Sequence, residues 1–160
     1  MRASGPITLV LGCGVRAAGD DAAGLRVIEG LSNPPVTGAE LHTCEDGWPA
    51  DFFADIGPEA LLIFIAAVHN NAAPGTICCL KVPSKSLQCR HLHRQGEPEF
   101  TLEHELQLAR KTHEKAPRTF LVGIEGLSYQ GDELSERVRA GVDDIIRNFP
   151  RYLKLANDLA

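Results

Sequence analysis

An α/β fold, arranged as a three-layer α/β/α sandwich around a mostly parallel five-stranded sheet, is the class the sequence predicts. Three observations carry that expectation. Apolar stretches of strand length alternate with segments of helical periodicity, the pattern of helices crossing over between parallel strands. The stretch Leu61-Leu62-Ile63-Phe64-Ile65-Ala66-Ala67-Val68 is apolar without alternation, as a strand covered on both faces must be. The 160 residues, 44% hydrophobic and 23% charged, suit a single domain spanning 1–160 that buries most of its unfolded surface.

In chain order, residues 7–13 read as a buried strand running into a glycine turn. Asp20-Asp21 opens a helix that carries Leu25, Ile28 and Leu31 at helical spacing, and Ser32-Asn33-Pro34-Pro35 stops it. A second short strand covers 39–44 and a short helix 50–56. After the strand at 61–68 comes a Pro74-Gly75 turn and a further strand at 76–82. The segment 83–99 reads as irregular and polar. Residues 102–112 form a helix with Leu102, Leu106 and Ala109 on one face, and 119–124 form a strand. Leu134, Val138, Val142, Ile145 and Phe149 then place one long amphipathic helix over 134–149.

The net charge of −5 and a single small basic cluster (Arg90, His91, His93, Arg94) argue against nucleic acid or an anionic membrane as partner. The longest apolar run, 60–68, is far short of the ~20 residues that span a bilayer. Val10-Leu11-Gly12-Cys13 has the look of a lipoprotein box, but the apolar stretch before it, 7–11, is too short for a secretory core. A cytoplasmic protein is expected. Five cysteines without a CxxC spacing fit reduced thiols and do not support a paired-cysteine zinc site.

In a parallel sheet the site lies beyond the carboxyl ends of the strands, which directs attention to the loops after Cys13, Cys44, Val68 and Ile124. The first, Gly12-Cys13-Gly14 with Gly19 following, is a GxGxxxxG run in which the third glycine falls too late for a dinucleotide loop. Asp20-Asp21 would repel a pyrophosphate there, and no Gly-Lys-Ser/Thr follows, so nucleotide binding is not expected. A helix cap or a first-turn acid accounts for one of Asp20 and Asp21, leaving the other available to a metal or polar ligand. Cys89-x-His91-x-His93 reads as a solvated loop. His42-x-Cys44 places a base and a thiol on one strand face with no third group to orient them, and Cys78 and Cys79 should point to opposite faces.

The run Leu11-Gly12-Cys13-Gly14, five residues, then Asp20-Asp21-Ala22-Ala23-Gly24-Leu25-Arg26-Val27 resembles the opening motif of the nickel–iron hydrogenase maturation endopeptidases. Three more segments agree in order and spacing: Leu62 to Val68 with Ala73-Pro74-Gly75-Thr76, Leu102-Glu103-His104-Glu105-Leu106, and Val122-Gly123-Ile124-Glu125 with Leu134-Ser135-Glu136-Arg137-Val138. Each motif is weak alone, and four in register across roughly 7–149 are specific. The resemblance implies a hydrolase that removes a C-terminal extension from a nickel-loaded hydrogenase large-subunit precursor. It implies the precursor as partner, nickel supplied by that substrate, no tightly bound cofactor of its own and a monomer.

By the same resemblance, catalytic and metal-binding roles fall on Asp21 and His104. His104 lies about 200° round a helix from Leu102 and so off the core stripe. Both are expected to be partly exposed and to approach each other across the cleft. The family's second aspartate aligns with Ala66, whose methyl binds no metal. The chain is then an engineered variant, a homologue without activity, or one in which another group substitutes, and His69 is the nearest candidate ligand. Asp46-Gly47-Trp48 replaces the family's Gly-Gly-Thr after the second strand, either Glu45 or Asp46 takes its acidic position, and substrate binding is expected of Glu45, Asp46 and Gly47; Val15 replaces an asparagine of the first turn. The alternative to a protease is a non-catalytic homologue that docks on the large subunit as a chaperone-like module.

Overall fold

The computed structural model describes residues 7–45, 59–82, 88–89 and 118–159. The expected helices at 50–56 and 102–112 lie outside them. Strand β1 (Thr8–Gly14) is followed by a single 3-10 turn, Gly19–Ala22, and helix α1 (Ala23–Leu31). Strands β2 (Glu40–Glu45), β3 (Leu61–His69), β4 (Ile77–Val82), β5 (Gln88–Cys89) and β6 (Arg118–Glu125) come next, then helices α2 (Glu136–Arg147) and α3 (Phe149–Leu159).

The five long strands lie in the order β2-β1-β3-β6-β4. β2, β1, β3 and β6 are mutually parallel, and β4 is an antiparallel edge on β6. The two-residue β5 pairs antiparallel with the tip of β3, Val68 opposite Cys89 and His69 opposite Gln88, so 83–99 is not irregular throughout as the sequence suggested. Its polarity hid a pairing too short to leave a periodicity.

Every residue of 61–68 is buried. Leu61, Ile63 and Ile65 join Val10, Phe120, Val122 and Ile124 beneath Val27, Ile28 and Leu31 of α1 and Val138, Val142 and Ile145 of α2. Each such side chain contributes about 1.5–3 kcal/mol on burial. The alternate residues Leu62, Phe64, Ala66 and Val68 face the other way and are also buried.

Helix α1 lies unusually close to the sheet. A Cβ on Gly24 would fall on the carbonyl of Ile65, and one on Gly12 on the carbonyl of Gly24. These are backbone contacts that no rotamer change relieves. Gly24→Ala is expected to lift α1 off β1 and β3 and to cost about 1–3 kcal/mol, read as a lower urea midpoint at unchanged m-value.

The helix expected at 134–149 is α2, Glu136–Arg147, and a second helix, α3, starts at Phe149. α2 ends at Arg147, and Asn148, with φ −110° and ψ 24°, breaks the run. Pro150 is the cause: it has no N–H to donate and its ring clashes with the carbonyl four residues back, whereas both are harmless in the first turn of a new helix. Asp144 braces the joint, accepting from Asn148 Nδ2 at 2.9 Å and from the Tyr152 hydroxyl at 2.6 Å. Burial and that bond hold the Tyr152 phenol well above its ordinary range.

Candidate functional site

Because β1, β2, β3 and β6 run the same way, their carboxyl ends (Gly14, Glu45, His69 and Glu125) fall on one edge of the sheet. The antiparallel β4 begins at that edge, Ile77 opposite Ile124. The connection from β3 to β4 is stitched to β6: Gly75 N–H donates to Glu125 O at 2.8 Å, Glu125 N–H to Thr76 O at 2.9 Å, and Gly126 N–H to Val68 O at 3.3 Å. Gly75 sits at φ +84°, where a Cβ would meet the Arg137 carbonyl of α2, so the Pro74-Gly75 turn demands glycine.

The loop after β1 is held by the loop after β6. Gly19 N–H donates to Gly131 O at 2.7 Å and Asp20 N–H to Ser128 O at 2.8 Å. The Asp20 carboxylate is wholly buried. It accepts the N–H groups of Leu127 (2.8 Å), Ser128 (2.9 Å) and Ser135 (2.7 Å) and the Ser135 hydroxyl (2.7 Å). Burial alone would raise its pKa; the bonds from Ser128, Ser135 and Leu127 outweigh it and hold the carboxyl below its usual value. Both aspartates lie in the first turn of the 3-10 segment, as the first-turn-acid reading expects, but neither caps it or α1 through its side chain. Asp20 is the structural member of the pair, and it works by binding a loop more than a hundred residues away.

Asp21 follows Asp20 in the same 3-10 turn, at the carboxyl end of β1. Its backbone carbonyl packs against Gly14, where a Cβ would collide with it. The residue is 7% exposed, more deeply set than the partial exposure expected of it. His104 lies outside the described residues, as do Asp46, Gly47, His91 and His93.

Ala66 pairs with Gly123, is wholly buried, and offers no donor atom. His69, three residues on, closes β3 with its side chain 55% exposed, and its Nδ1 lies 3.9 Å from Glu125 Oε1. Glu125 is 3% exposed, and both its oxygens accept the Asn70 N–H, at 3.1 and 2.9 Å. The sequence reading used Glu125 only to align the end of β6 and missed it as a site residue. A charged residue closing an otherwise apolar strand was the available signal.

Glu45 accepts from Arg16 Nε at 2.7 Å, and Arg16 also pairs with Glu29, which Arg26 Nη1 meets at 3.1 Å. The Arg16 bond holds the Glu29 carboxyl below its ordinary range. These side chains are close to half exposed, so the network orders the rim of the site and stabilises the fold little. A thiol nucleophile is not favoured on β4. Burial pushes Cys79 up to about 11, with Cys78 beside it adding to the rise, and burial raises Cys78 as well. As expected, the two point to opposite faces, Cys79 against the helix-covered core and Cys78 Sγ toward Gly123 O at 3.6 Å. His42 lies 3.7 Å from Glu40 on the exposed edge strand β2. Among the described residues no disulfide forms, and no group of three or more His, Cys, Asp or Glu stands close enough to hold a metal ion by itself.

No protein-family model matches the chain, and no curated protein matches it by sequence. Solved structures do. The hydrogenase maturating endopeptidase HybD of E. coli superposes with a TM-score of 0.73 at 22% identity, over 94% of this chain and 93% of that one. The fold is that of the hydrogenase maturation endopeptidases. The [NiFe] hydrogenase maturation protease HycI of Thermococcus kodakarensis gives a TM-score of 0.68 at 19% identity, covering 95% of each chain. The hydrogenase 2 maturation peptidase of a Thaumarchaeota archaeon gives 0.65 at 24% identity, over 92% of this chain and 97% of the other. In this fold Asp21, His69 and Glu125 stand at the carboxyl edge of the parallel strands. Among the described residues no helix is long and apolar enough to cross a membrane.

Proposed function

We propose that the chain is a hydrolase of the hydrogenase maturation endopeptidase type, cutting one peptide bond near the C-terminus of a nickel-loaded large-subunit precursor in the cytoplasm. The observation that carries this is likeness of fold along more than nine-tenths of both chains to a protease of that kind. The site supports it: a deeply set carboxylate, Asp21, follows β1 at the carboxyl edge of a parallel sheet.

In this reading Asp21 and His104 supply an incomplete ligand set, oxygen and nitrogen, that suits a divalent nickel already held by the substrate. Such a set favours precursor that carries metal over precursor that does not, so the maturation state of the substrate sets specificity. His69 stands in for the carboxylate that Ala66 lacks. The chain supplies no serine or cysteine nucleophile in this reading, and a water molecule attacks the scissile carbonyl beside the substrate's metal. Glu45, with Asp46 and Gly47, lines the approach of the peptide.

The test is processing of purified nickel-loaded precursor, followed by mass. The native chain should release the C-terminal extension, and Asp21→Asn should slow release by about 100-fold, equivalent to ~2.7 kcal/mol of transition-state stabilisation. Release at the native rate by Asp21→Asn would remove Asp21 from the mechanism. The buried methyl of Ala66 favours a second reading, in which the chain docks on the large subunit without cutting it. Tight binding of precursor with no release of the extension would establish that reading.

A further inference from the structure

Glu125 is a buried carboxylate whose one backbone donor among the described residues is the Asn70 N–H, shared between its two oxygens. One neutral N–H compensates poorly for burying a full negative charge. The side chain that forms an ion pair with it among the described residues is His69, with Nδ1 3.9 Å from Oε1. That is ion-pair distance, and the ring, 55% exposed, is not locked by packing.

The backbone makes this pairing persistent. Glu125 ends β6 directly opposite Val68, its own N–H and carbonyl are tied to Thr76 and Gly75, and the Asn70 N–H it binds belongs to the residue after His69. The carboxylate therefore grips the chain at the point where it leaves β3, and the Cα of His69 is fixed relative to it. One ring nitrogen faces a buried anion and the other is directed elsewhere. Histidines that bind metals are commonly arranged in this way, with a carboxylate selecting the tautomer and raising the basicity of the outer nitrogen.

The geometry points to Glu125 as a positioning residue. Its carboxylate holds Nδ1–H of His69, so that Nε2 is the atom presented at the carboxyl edge of the sheet to a borderline divalent metal ion. This rests on the role given to His69 under the proposed function and adds the residue that makes the role effective.

The experiment uses the full chain and Co²⁺ as probe, titrated by calorimetry and followed by its visible bands, in native, Glu125→Gln, His69→Ala and doubly substituted proteins. Glutamine keeps the shape and an acceptor for Asn70 but loses the charge. Glu125→Gln should weaken cobalt about tenfold and shift the visible bands in the native background, and change neither when His69 is already alanine. Equal weakening in both backgrounds, no weakening at all, or a native chain whose cobalt binding ignores His69 would overturn the proposal. Should Glu125→Gln fail to fold, the ¹⁵N spectrum of histidine-labelled native chain decides. Neutral His69 with its proton on Nδ1 supports the assignment, and a proton on Nε2 refutes it. If coupling is absent while the native chain still trims precursor, only the role of Glu125 falls. If coupling is present and precursor is untouched, only the protease reading falls.

Discussion

Asp20→Asn should be the most destabilising conservative substitution among the site-edge residues, costing about 2–4 kcal/mol. Four donors converge on this carboxylate: three backbone N–H groups, from Leu127, Ser128 and Ser135, and the Ser135 hydroxyl. Asparagine offers one acceptor oxygen in place of two and turns an NH₂ toward groups that themselves donate. Losing an ordinary helix cap costs only about 1 kcal/mol. The larger figure follows because the donors left behind are buried and belong to the loop that holds Asp21 in place. For a chain of this length the fall in Tm should be roughly 4–16 °C, with a matching drop in urea midpoint. The pH dependence has a definite sign. The folded-state pKa is depressed, so the stabilisation is fully present above the ordinary carboxylate pKa and is lost as pH falls through the folded value. Asp20→Asn should therefore flatten the acid limb of the stability profile, and an unchanged acid limb would refute the assignment.

The same residue shows where sequence reading stops. The sheet was legible because its signal is local: an unbroken apolar run of strand length closed by a turn fits a strand buried on both faces, and β3 runs from Leu61 to His69 over that run. The Pro74-Gly75 turn was legible because a positive φ needs glycine. Asp20 and Asp21 could not be told apart, since what separates them is a loop whose nearest bonded group is 107 residues further along the chain. Glu125 escaped notice for the same reason, its partner Asn70 lying 55 residues earlier. The break at Asn148 was local but ambiguous. The apolar spacing carries through to Phe149, which is buried in the core, and only Pro150 argued for a stop. Period and turn chemistry are written in neighbouring residues. The pairing of polar groups between loops at the edge of the sheet is decided by topology.

His69→Ala should abolish processing of nickel-loaded precursor, by about 100-fold or more, and Ala66→Asp introduced on top of it should recover part of the loss. Ala66 and His69 lie on the same strand, three residues apart at its carboxyl end. A carboxylate at 66 would issue from the sheet face on which the buried Glu125 also lies, two register steps from it across the β3–β6 pair. Alternation starts residue 69 on the other face, and the His69 ring reaches Glu125 only because it stands at the last residue of the strand, so a donor at either position is brought to the carboxyl end of β3. The exchange has a cost. Ala66 is wholly buried, and Gly123 opposite it is crowded by Val68 and Cys78. A carboxylate placed there without metal is desolvated and close to like charge, which raises its pKa and destabilises the free protein by about 1–3 kcal/mol. Binding of metal-loaded precursor to the folded state should return part of that stability through mass action. The expected pattern is an Ala66→Asp protein that melts below the native chain when free, regains Tm on adding nickel-loaded precursor, and processes it whether or not His69 is present. If His69→Ala processes at the native rate, the histidine is not the substitute. If Ala66→Asp then raises that rate sharply, position 66 is an unfilled ligand site. Processing by none of these proteins, with a substrate verified to carry nickel, would leave docking on the large subunit as the function that the fold serves.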